Sequence, residues 1–207
     1  MIGRVCASLA LAVLPLAFAA PLRAQEAAAA SYAQAPDSFR VTFKTSHGSF
    51  VVQVNRDWAP KGADRFYSLV RQHFFDDSRF FRAIPRFVAQ FGLAGDPHAN
   101  DAWDAQPITD DPVTHSNLRG TLTFATEGPN TRTHQLFFNL VDNARLDKLG
   151  FAPIGRVIRG MGIVESIYTG YGDTPEQDFI QKLGNPYLDR EYPKLDHIVS
   201  AELTPIR

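Results

Sequence analysis

From Phe39 onward the chain alternates. In "FRVTFKTSHGSFVVQVN", Val41 and Phe43 share one parity before His47-Gly48, and Val52 and Val54 share one after it. Period-two patterning on both sides of a glycine predicts a β-hairpin with a short turn. The period then changes. In "APKGADRFYSLVRQHF", Pro60 suits a first helical position, and Ala63, Phe66, Leu69, Val70 and Phe74 recur at steps of three and four. This predicts one amphipathic helix of about four turns. "RFFRAIPRFVAQFG", Arg79 to Gly92, reads as two short strands joined at Pro85-Arg86. Asp96 to Asn117 is polar and turn-rich, a long loop with Trp103 as its anchor. "GTLTFAT" is a strand and "GPNTRT" a turn. In the strand "HQLFFNL", Leu136, Phe138 and Leu140 share one face and Gln135, Phe137 and Asn139 the other. "NARLDKLGFAP" reads as a loop, "IGRVIR" as a strand, and "GMGIVESIYTG" as a short helix ended by Gly170. Gly172 to Pro193 reads as irregular, and "LDHIVSAELTPI" closes the chain as a strand.

The pattern therefore gives about seven or eight strands and two separated helices. No strand–helix–strand unit recurs, which argues against a parallel sheet. A mainly β architecture follows: an antiparallel sheet closed into a barrel, with the helices over its ends.

The first residues stand apart. Arg4 precedes the apolar run "ASLALAVLPLAFAA". That run is shorter than the roughly 20 residues of a membrane helix. Small residues at 17–19 or 22–24 offer a cleavage point, so residues 1–24 read as a secretory signal peptide, with an uncleaved anchor as the alternative. "QEAAAASYAQAPDS" makes residues 25–38 a flexible tether, and 39–207 a single domain of the 207-residue chain. Cys6 is the only cysteine, so the exported domain is expected to rely on its core rather than on disulfides. The net charge of −1 and the lack of a basic block exclude nucleic acid as an expected partner.

Much chemistry is missing. There is no Gly-x-Ser-x-Gly elbow, dinucleotide fingerprint or phosphate loop. The six histidines are scattered and lack metal-ligand spacing, so neither a metal nor another cofactor is expected. Asp110-Asp111 reads as a solvated turn. Arg86, Arg132 and Arg145 read as surface residues, and Trp58 as packing. What remains is an apolar patch with one arginine and two glutamines. Val88 and Gln90 share a strand face, as do Gln135 and Phe137. Together they could grip an apolar ring and hold a dipole, with no titrating residue. Taken singly, Arg82 also fits a solvated strand position, Phe87 and Phe137 a core, and Gln90 and Gln135 a structural role.

Four blocks, in order, resemble the cyclophilins: "APKGADRFYSLV", "FFRAIPRFVAQFG", "FATEGPNTRTHQLFFNL" and "LDKLGFAPIGRVIRGMGIVESI". The likeness spans roughly Phe39 to Leu203. It implies an eight-stranded antiparallel barrel with a helix at each end. It also implies a bacterial, exported, periplasmic peptidyl-prolyl cis-trans isomerase that takes proline-containing polypeptides on the barrel's outer wall. Such a protein would work as a monomer, free of the membrane once its signal is removed. By resemblance, Arg82 is the catalytic arginine and Gln90 its catalytic partner. Phe87, Val88, Phe137 and Leu146 form the proline pocket. Gln135, Ala125 and Thr126 hold substrate backbone, and Phe151 falls near a pocket histidine. Phe81 stands where a histidine is usual, and "QFGLAGD" where Gln-Gly-Gly-Asp is usual. Arg145 occupies the place of a tryptophan that contacts the cyclic peptide inhibitor, which implies a weak response to cyclosporin. A rival role on the same barrel is a non-catalytic, proline-binding chaperone module.

Overall fold

A computed structural model of the chain describes residues 33–205. The signal-peptide reading and most of the tether lie outside the described residues. The tether's last residues are not loose: Ala35 is buried, and its N–H donates to Asp64 Oδ1 at 2.8 Å.

Strands β1 (Ser38–Thr45) and β2 (Gly48–Asn55) form the expected hairpin, with Thr45 opposite Gly48 across the turn. Helix α1 follows at Pro60–Arg71. Then come β3 (Arg82–Ala83), β4 (Val88–Phe91) and helix α2 (Pro97–Asp104). Next are β5 (Thr121–Phe124), β6 (Leu136–Asn139), a 3-10 turn at Ala144–Leu149, and β7 (Pro153–Arg159). Helices α3 (Met161–Glu165), α4 (Gln177–Leu183) and α5 (Asn185–Glu191) precede β8 (Ile198–Thr204).

All eight strands pair antiparallel in one curled sheet, in the order β3-β4-β6-β5-β7-β2-β1-β8. The expected closure does not occur. No ladder joins edge strands β3 and β8; the chain before β3 meets the start of β8 at an isolated bridge, Arg79 to His197, with backbone bonds from Asp77 N to Ile198 O, Phe80 N to Asp196 O and Ile198 N to Ser78 O. The sheet is an open, curled half-barrel. Two residues of β3 are too few to complete a ladder along a seven-residue partner. Inside the curl, phenylalanines interlock. Phe43 stacks on Phe50 at 4.9 Å and Phe91 on Phe138 at 5.4 Å, all four buried. Such pairs add to plain area burial.

Helix α1 lays Ala63, Phe66, Leu69 and Val70 on this core. It stops before the expected Phe74, because His73 turns to φ +56°. Phe74 still packs, in the turn that follows. The start of α1 explains Asp111. This carboxylate accepts the N–H groups of Lys61 (3.1 Å) and Gly62 (2.9 Å), and Arg132 Nη2 at 3.0 Å. Both Asp111 and Arg132 are buried, so neither the solvated-turn reading nor the surface reading holds. An anion at a helix start satisfies donors that the helix cannot.

Two helical segments were expected, but five α-helices occur among the described residues. Asp96 caps α2 by accepting from His98 N, and Trp103 is buried as an anchor within that helix rather than a loop. α3 is shorter than expected: it ends at Glu165 with Ser166 as its cap, not at Gly170. Gly172 to Pro193, expected to be irregular, holds α4 and α5.

Candidate active site

Strand pairing makes the central row. Arg82 lies opposite Gln90, and Gln90 opposite Phe137. Directly paired residues share a face, so these side chains emerge together from the outside of the sheet while Ala89, Phe91 and Phe138 fill the inside. Arg86, at φ +59°, makes the tight turn that returns β3 into β4.

Hydrogen bonds then fix the row. Arg82 Nη1 donates to Gln90 Oε1 at 3.3 Å, and Gln90 Nε2 donates to Gln135 Oε1 at 2.9 Å. A guanidinium only donates, so the Gln90 oxygen must face it and the orientation of both amides follows. Among the described residues no partner takes the Gln135 amide N–H groups, which leaves them for an acceptor in the groove.

Beside this row lies an apolar hollow. Val88, Phe137 and Leu146 pack together, with Phe87, Ala125 and Phe151 against them. The rings of Phe137 and Phe151 meet edge to face at 5.8 Å. Two guanidinium groups approach the Phe87 ring, Arg82 at 5.7 Å and Arg145 at 4.7 Å from its centroid. The far rim is set by Asp147 in the 3-10 turn. It accepts from Ser116 Oγ (2.5 Å), Asn117 N (2.9 Å) and Asn117 Nδ2 (2.8 Å), and Asn117 Nδ2 also holds the Phe151 carbonyl at 2.8 Å. Burial would push the Asp147 carboxyl up, but these donors outweigh it and hold the group below its usual 3.8.

All the residues singled out from sequence line one groove of about 820 Å³: Arg82, Phe87, Val88, Gln90, Ala125, Thr126, Gln135, Phe137, Leu146 and Phe151. Thr126 lines it with its hydroxyl already engaged by the Gly128 carbonyl and Thr131 Oγ1. The Ala125 N–H is likewise spent on the Gln135 carbonyl at 2.9 Å.

Other lining residues went unnoticed in the sequence. Asp104 and Pro107 come from the end of α2 and beyond, Glu127, Thr131 and Thr133 from the β5–β6 connection, and Gln177, Asp178 and Gln181 from α4. Asp104 is clasped by a buried histidine: His134 Nε2 lies 2.8 Å from Asp104 Oδ1, and Nδ1 donates to the Gly92 carbonyl at 2.5 Å. That bond to His134 holds the Asp104 carboxyl below its usual value, against partial desolvation. A His-Gln pair opening a β-strand was the one available signal, and nothing local tied it to Asp104.

No Cys, Ser, Lys or His lines the groove among the described residues. An oriented cation lies beside an apolar hollow on the outer wall of an antiparallel sheet, a surface fitted to an apolar ring with a hydrogen-bond acceptor next to it. Comparison with known proteins makes this specific. Residues 40–185 match the family described as cyclophilin type peptidyl-prolyl cis-trans isomerase/CLD. The chain is 34% identical over 133 residues to a peptidyl-prolyl cis-trans isomerase of Acinetobacter baylyi, covering 61% of this chain and 70% of that one. It is 32% identical over 156 residues to peptidyl-prolyl cis-trans isomerase B of Escherichia coli, covering 68% and 94%. Its fold is similar to a cyclophilin type isomerase of Cryptosporidium parvum, with TM-score 0.61 and 18% identity over 82% of this chain and 99% of that one. The chain belongs to the cyclophilin-type peptidyl-prolyl cis-trans isomerases, enzymes that act on proline-containing polypeptides.

Proposed function

We propose that this isomerase accelerates X–Pro rotation by aiming the Arg82 guanidinium at a twisted imide whose proline ring is held in the hollow. The observation that carries the reading is the Arg82–Gln90–Gln135 row beside Val88, Phe137 and Leu146.

The physics is that of a stiff bond. Nitrogen lone-pair delocalisation sets a rotation barrier of about 18–20 kcal/mol, and X–Pro isomerisation takes tens to hundreds of seconds. In the twisted state the proline nitrogen regains its lone pair and becomes a hydrogen-bond acceptor. A permanently charged, rigid donor bonds that state better than the planar one. Gln90 fixes the direction of the guanidinium. The hollow grips the pyrrolidine, worth on the order of 1.5–3 kcal/mol of burial, while the preceding carbonyl swings. The free amide donors of Gln135 hold substrate backbone. A barrier lowered by about 4–7 kcal/mol gives roughly three to five decades of rate.

The apolar N-terminal run supports export, so the substrates we propose are exported polypeptides folding in a bacterial periplasm. The Arg145 side chain on Phe87 supports a weak response to cyclosporin. In a protease-coupled assay with a proline peptide, Arg82→Ala is expected to lower kcat/KM by about 10²-fold or more, as loss of a charge-stabilising donor does. Circular dichroism should be unchanged. Undiminished turnover in a folded Arg82→Ala protein removes the role.

A further inference from the structure

The groove has a wall that gripping a proline does not require. Gln177, Asp178 and Gln181 of α4 line it. On the helix's other side Ile180 is buried with Phe81, Leu93, Leu188 and Leu195. Phe81, where a histidine is usual in the family it resembles, is thus an anchor for this wall. The α4–α5 joint is bolted as well. Asn185 N donates to the Gly95 carbonyl at 3.0 Å, and Asn185 Nδ2 donates to Asp77 O and Oδ2 at 3.0 and 2.8 Å. Arg79 Nη2 donates to Asp189 Oδ1 at 2.9 Å. The Gly172 carbonyl accepts from Ala83 N at 3.0 Å, one residue from Arg82. The segment from Gly172 onward therefore takes one edge N–H of β3 and walls the groove.

The charge lining the groove has a direction. Arg82 is the one cation among the described lining residues, against Asp104, Glu127 and Asp178. His134 answers Asp104. Glu127 and Asp178 have no Lys or Arg within ion-pair distance among the described residues. Carboxylates along a cleft with low-dielectric walls focus their field into it. A bound polypeptide extends beyond its proline at about 3.3 Å per residue, so a groove of this volume takes flanking residues too.

We infer that the α4 wall, together with Glu127 of the β5–β6 connection, makes the groove selective for X–Pro segments with lysine or arginine at a flanking position. Asp178 and Glu127 take the cation, and Gln177 and Gln181 offer hydrogen bonds to peptide backbone. The inference rests on the groove being the substrate site and adds which substrates it prefers.

The test is a protease-free isomerisation assay at low salt. Peptides share one X–Pro core and carry Lys, Gln or Glu at each of the two positions on either side of it. On at least one side kcat/KM should fall in the order Lys, Gln, Glu, with about two- to fivefold between Lys and Gln, the size of an exposed ion pair. The spread should shrink with added salt. Asp178→Lys and Glu127→Lys should each lower or invert the Lys-to-Glu ratio, and Asp178→Asn should flatten it in part. Equal kcat/KM for Lys and Glu peptides, or a ratio that none of these folded variants changes, overturns the inference and leaves the isomerase reading intact. No turnover of any peptide overturns both.

Discussion

Phe137 is held from two directions. Its ring meets Phe151 edge-on and packs with Val88 and Leu146, while its backbone lies between Gln90 and Thr123 in the ladder. Phe137→Ala should therefore weaken binding of a proline peptide in calorimetric titration. It should also cost up to about 3–5 kcal/mol of stability in denaturant unfolding, as truncation of a packed ring does. Unaltered peptide affinity would remove Phe137 from the pocket. The row of Arg82, Gln90 and Phe137 was legible because strand parity and an arginine amid apolar residues are local signals. Asp111 and Arg132 were not. They sit 21 residues apart in turn-rich text, and each looks solvated until the fold brings them together. Asp178 and Glu127 hid for the same reason, as ordinary loop carboxylates.

At the scale of elements, long strands and the long helix announced themselves. α4 and α5, at seven residues each, carry fewer than two full periods, too little for a helical repeat to stand out. Openness of the sheet was equally hidden, since alternation reveals which residues face inward but not whether the two edge strands meet. The joint between α4 and α5 depends on two glycines. A Cβ on Gly95 would lie 2.3 Å from Asn185 Nδ2, and one on Gly184, at φ +63°, would lie 2.2 Å from the Gly95 carbonyl oxygen. Gly184→Ala should loosen this joint while the sheet stays folded. Limited proteolysis should then cut within residues 172–193 faster than in the parent protein. Equal cutting rates would mean that the joint does not hold the segment.

For the whole molecule, the Asp104–His134–Gly92 clasp ties the end of α2 to the chain entering β6 and leaving β4. The folded Asp104 carboxyl titrates below its usual 3.8. Its stabilising effect is therefore complete above the unfolded value of about 3.9 and is lost as pH falls through the lower folded value. Asp147, also lowered, adds a loss of the same sign. Thermal melts from about pH 6 down to about pH 2 should show falling stability, with a shallower fall in Asp104→Asn. An identical slope in that variant would remove Asp104 from the acid response. The central claim concerns not binding but the difference between two states of one bond. Exchange NMR on a proline peptide saturated with enzyme measures the on-enzyme cis–trans rate separately from affinity. Arg82→Ala should slow that rate by about 10²-fold or more while peptide affinity changes little. An unchanged on-enzyme rate, with the whole loss in affinity, would contradict the account.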